Sequence, residues 1–84
     1  MTYTVVWTPA SQNDLATLWM NAPDRGAVAA AANLIDVMLR DDPYSDSESR
    51  SDPGRVMIVP PLAVAFDVSD PDCLVTVWAV WEIQ

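Results

Sequence analysis

The chain has no histidine, no lysine and one cysteine, Cys73, in 84 residues. A lone cysteine excludes an internal disulfide, and without a Cys/His cluster there are too few ligands for a structural zinc site. No apolar run approaches the ~20 residues needed to span a bilayer, so no membrane segment is expected. Met1 to Trp7 shows no basic stretch ahead of an apolar one, so no signal peptide is expected. One unpaired thiol suits a reducing compartment, and the expectation is a cytoplasmic protein. Positive charge is also scarce: Arg25, Arg40, Arg50 and Arg55 are the only bases, against 12 acids, for a net charge of −8. Nucleic-acid binders draw much of their affinity from phosphate neutralisation. Direct nucleic-acid binding is therefore not expected; the charge either keeps the protein dispersed or favours a basic or apolar partner.

What is present is apolar: 51% of residues are hydrophobic, including four tryptophans. That is globular composition, and the length suits a single domain, residues 1–84. A domain this small buries a modest share of its surface. With no disulfide or metal available, a partner protein or self-association is the expected supplement.

Tyr3-Thr4-Val5-Val6-Trp7 reads as a first strand. Thr8 suits a helix N-cap and Pro9 the first helical position, so a helix is expected from Pro9 to Asn21. It carries Leu15, Leu18, Trp19 and Ala22 on one stripe, and Pro23 ends it. Asp24 caps a second helix, expected from Arg25 to Arg40. There Val28, Ala31, Ala32, Ile35, Met38 and Leu39 follow helical spacing. Leu34 and Val37 widen the apolar face; they either meet a sheet or are left for a partner. A short connection predicts a helical hairpin. Residues 41 to 54 read as a long loop.

Three strands follow: Arg55 to Val59, Leu62 to Val68, and Cys73 to Ile83. Pro60-Pro61 and Ser69-Asp70-Pro71-Asp72 supply the turns. In the last strand strict alternation puts Val75, Val77, Ala79 and Trp81 on one face and Thr76, Trp78 and Val80 on the other. Both faces are apolar, which predicts a central strand. The expected fold is α+β, ordered β-α-α-β-β-β, with the hairpin on one face of a mostly antiparallel four-stranded sheet.

These strings resemble the RelE/ParE toxin superfamily, the plasmid-stabilisation-like proteins of type II toxin–antitoxin pairs. The resemblance rests on Tyr3 to Pro9 leading into Asp14-Leu15, Ile35 to Pro43, the Glu48-Ser49-Arg50 loop, Arg55 to Val59, Pro61 to Val64, and the last strand through Val80-Trp81. It spans nearly the whole chain. It implies a toxin neutralised by a cognate antitoxin, with the ribosome or gyrase as target. In the ribosome-dependent nucleases of that group, several bases and a Tyr or His near the sheet's end serve message cleavage. Here the resemblance places Arg55 on the basic position opening the second strand and Arg50 on the loop arginine. Glu82-Ile83 stands where relatives carry a basic pair, and no Tyr follows Tyr44. Most of the charge clamp and the proton-transfer group are missing.

Arg50 and Arg55 are thus the candidate catalytic residues. The competing reading pairs them with Asp41, Asp42, Asp46, Glu48 or Asp52 to hold the loop. Those acids lack calcium-loop spacing, and Cys73 has no neighbouring base to make a thiolate. No cofactor is expected. Trp19 and one of Trp78 and Trp81 are expected in the core; Trp78, Trp81, Leu34 and Val37 are the candidate partner-binding residues. The leading expectation is a toxin component whose ribonuclease chemistry is degenerate or absent. The alternatives are a non-catalytic, homodimeric or other interaction module on the same fold, and an active ribosome-dependent endoribonuclease using Arg50 and Arg55.

Overall fold

The structure, a computed structural model, describes residues 2–45, 47–49 and 54–83. The elements run β1 (Thr4–Trp7), α1 (Pro9–Asn21), α2 (Arg25–Asp41), β2 (Ser47–Ser49), β3 (Gly54–Val59), β4 (Leu62–Ser69) and β5 (Leu74–Glu82).

Both helices start where local chemistry says they should. The Thr8 hydroxyl accepts from the Ser11 N–H, with Pro9 next in the first turn. The Asp24 carboxylate accepts from the Ala27 N–H. Each bond satisfies a backbone donor that the helix itself leaves open. The buried Ser11 hydroxyl then ties α1 to the sheet by donating to the Val77 carbonyl at 2.9 Å.

The sheet has five strands in the order β1-β5-β4-β3-β2. β1 runs parallel to β5, and the other neighbours pair antiparallel. The expected four strands become five because Ser47–Ser49, read from sequence as loop, pairs with Arg55–Met57 of β3. Ser-Glu-Ser has little strand propensity of its own; its strand conformation comes from the ladder to β3. The turn between β3 and β4 contains a cis Pro60–Pro61 bond.

Val28, Ala31, Ile35 and Leu39 of α2 meet Met57, Leu62, Val64, Phe66, Val75, Val77 and Val80 of the sheet in one core. Leu15 and Leu18 of α1 pack against its margin. All of it lies on one face of the sheet, so the helices leave the other face open.

Simple alternation in β5 fails at one place. Val77 pairs with Phe66 and Ala79 with Ala65, which makes Trp78 an extra residue: a β-bulge. The phase slips there. Val80 joins Val75 and Val77 in the core, while Trp78, Ala79 and Trp81 fall on the open face. The expectation that Trp78 and Trp81 point to opposite faces is corrected by that bulge. The expected burial of Trp19 and one of the two is corrected as well: Trp19 is 42% exposed, Trp78 50% and Trp81 41%. Core volume at this end is filled by Phe66, Ile35, Leu39 and valines instead.

Candidate functional site

Arg55 opens β3 opposite Phe66. Cross-strand partners share a face, so its side chain lies on the helix side, at the margin of the core. Its Nε donates to the Ser47 hydroxyl at 2.7 Å and its Nη2 to the Ser47 carbonyl at 3.0 Å. Its guanidinium stacks over the Tyr44 ring, 4.9 Å from the centroid. The Ser47 hydroxyl in turn donates to the Pro43 carbonyl. Arg55 thus fastens the connection between α2 and β3, using Ser47 and Tyr44 where sequence reasoning looked to the neighbouring acids. Arg50 lies outside the described residues.

The Tyr44 hydroxyl donates to the Asp70 carboxylate at 2.9 Å, and so does the Tyr3 hydroxyl at 2.8 Å. Asp70 looked in sequence like an ordinary turn acid. It joins the chain start, the loop after α2 and the β4–β5 turn. Because a phenolate would lose its bond to Asp70 and face a carboxylate charge, the Tyr3 hydroxyl is pushed from 10.0 to about 12; some desolvation adds to this.

The open sheet face has a different character. Ala63 and Ala65 of β4 form its buried floor. Register sets Ile58 and Trp81 on either side of Ala63, and Val56 and Ala79 on either side of Ala65. Trp78, Trp81 and Ile58 stand beside this floor as exposed apolar side chains, and Val6 of β1 is exposed on the same face beyond β5. Asp67 lies on the same face, opposite Thr76, and Glu48 opposite Val56. Arg25 stacks on Trp19 beside the helices, Arg40 pairs with Asp36 on α2, and Arg55 points to the helix side. No described arginine lies on the open face.

Leu34 and Val37 are exposed on the outer side of α2. They are therefore on the opposite side of the molecule from Trp78 and Trp81, and the four named residues do not form one surface. A groove of about 490 Å³ lies between the helices, lined by Trp7, Leu15, Trp19, Ala29 and Ala32 with Asp36 at its margin.

Sequence reasoning missed Ile58, Val6 and the alanine floor. A signal for them exists: two helices cover one face of a sheet, so the alternate residues Val56 and Ile58, Ala63 and Ala65 must sit on a second, uncovered apolar face.

No family model matches the chain, and no curated protein matches it in sequence. Solved structures do match. The chain superposes on one in the RelBE2 toxin–antitoxin complex from Mycobacterium tuberculosis with a TM-score of 0.81 and 18% identity, covering 98% of this chain and 99% of that one. A chain of the chromosomal ParDE system from P. aeruginosa gives 0.69 at 12% identity, covering 99% and 98%. The isolated E. coli RelE toxin gives 0.61 at 11% identity, covering 98% and 85%. The fold is that of the RelE and ParE toxins.

Proposed function

We propose that this chain is a RelE/ParE-like toxin of a type II toxin–antitoxin pair, held by a cognate antitoxin, and that it does not cleave RNA. The observation that carries the reading is the full-length match in fold to chains of several such pairs, in both RelE and ParE branches. What separates this chain from a message-cleaving enzyme is electrostatic. In-line attack of a ribose hydroxyl on its phosphate builds negative charge that preorganised cations must offset. Here the open sheet face presents indoles, aliphatic side chains and carboxylates, and Arg55 is committed to Ser47 and Tyr44. A phosphodiester approaching that face meets repulsion and no described counter-charge. Apolar contact with another protein suits it better, whether that protein is the antitoxin, gyrase or a ribosomal component.

The test is to express the chain alone and together with any small protein found encoded next to it, following growth and co-purification. Growth arrest relieved by the neighbour, with the two proteins isolated as one complex, is the expected result. Normal growth and no complex would count against a toxin and favour the reading of a stand-alone interaction module, which the exposed Trp78 and Trp81 also suit.

A further inference from the structure

The open sheet face is apolar and carries acids, and its two tryptophans sit together only because of a bulge. From the chain's own alternation, Trp78 and Trp81 belong on opposite faces. The extra residue in β5 turns both outward onto the same side. Bulges recur where a strand re-aims a side chain for a purpose. Together with Ile58 the two indoles form an exposed apolar surface that closes over Ala63 and Ala65, which are 1% and 4% exposed. Asp67, half-buried on the same face, receives no hydrogen bond or ion pair from a described residue.

We propose that this face docks a cationic, apolar segment of the partner protein; the assignment rests on the toxin reading above. Branched aliphatic side chains of the segment would lie against the exposed surfaces of Ile58, Trp78 and Trp81. Its lysine or arginine groups would stack on Trp78 and Trp81 and approach Asp67, combining cation–π contact with ion pairing in a partly dried site. Charge selects this occupant over the others. A second copy would bring a net charge of −8 and the same acidic face against its own kind. A nucleic acid would set phosphates against Asp67 with no described arginine to meet them.

The probe is an alternating Lys-Val decapeptide, titrated into the intact chain while the indole N–H signals of Trp7, Trp19, Trp78 and Trp81 are followed by NMR. The signals of Trp78 and Trp81 should move with the peptide, and those of Trp7 and Trp19 should stay in place. A Lys-Ser decapeptide of equal charge should bind about tenfold more weakly, since one or two kcal/mol of apolar contact is lost. Trp78→Ala and Ile58→Ser, both at exposed positions, should each weaken the Lys-Val peptide by a similar factor.

Shifts confined to Trp7 and Trp19 would place the peptide in the helix groove and overturn the proposal. So would equal binding of a Glu-Val decapeptide or an RNA oligonucleotide at Trp78 and Trp81. Movement of those two signals on concentrating the protein alone would give the face to a second copy. Absence of any shift at millimolar peptide also overturns it. The growth experiment separates the two levels: antitoxin rescue with no peptide binding refutes the docking chemistry and leaves the toxin reading in place. Peptide binding without rescue does the reverse.

Discussion

Asp70 holds two phenols at once, and that arrangement is open to titration. The Tyr3 hydroxyl ionises at about 12 in the folded chain against an ordinary 10.0, chiefly through its bond to Asp70. A group whose folded pKa is raised contributes stability fully below its unfolded value, and the contribution is lost as pH climbs through the folded one. The Tyr3 tie is therefore intact below about pH 10 and fails as pH approaches about 12. An alkaline titration followed at the Tyr3 ring signals by NMR should show ionisation at about 12, and Asp70→Asn should bring it back toward 10.0. Ionisation of Tyr3 at its ordinary 10.0 with Asp70 in place would refute the account. None of this was legible in the sequence. Tyr3 and Asp70 stand 67 positions apart, and Tyr44 and Asp70 26, so only the assembled sheet edge brings them together. Arg55 was legible as a significant base, but its partners were not: Ser47 and Tyr44 reach it only once β2 has paired with β3.

At the scale of elements, the helices could be read almost to the residue because their signals are local. Thr8-Pro9 and Asp24 announce the starts, and the spacing of Val28, Ala31, Ile35 and Leu39 names the buried face of α2. β2 and the β5 bulge could not be read. A three-residue strand has no period to detect, and a twofold alternation does not reveal where one extra residue is inserted. Tryptophan exposure was hidden for the same reason, since size alone does not fix a face. The face assignment of α2 makes a direct comparison. Ile35 is fully buried and Leu34, its neighbour, is about half exposed. Ile35→Ala should cost roughly 2–5 kcal/mol in denaturant unfolding, through lost transfer energy and a cavity. Leu34→Ser should stay within about 0.5 kcal/mol. Equal losses at the two positions would mean that the outer side of α2 is already covered.

For the molecule as a whole, one fold carries an unusual balance of charge. A sheet that offers cations on its open side can steady a phosphodiester under attack; this one offers indoles, aliphatics and carboxylates, on a chain of net charge −8. Association with polyanions is then opposed at long range as well as at contact, most of all in low salt. The proposed docking of a cationic, apolar segment rests on the same features, and on that proposal the chain's effect on a cell runs through protein contact. The direct measurement is a purified translation reaction programmed with one message, with the chain added and the message mapped for breaks by primer extension. The account predicts an unbroken message at every codon, for the natural chain and for Arg55→Ala alike. Breaks at translated codons that vanish in Arg55→Ala, while that variant still folds, would contradict it.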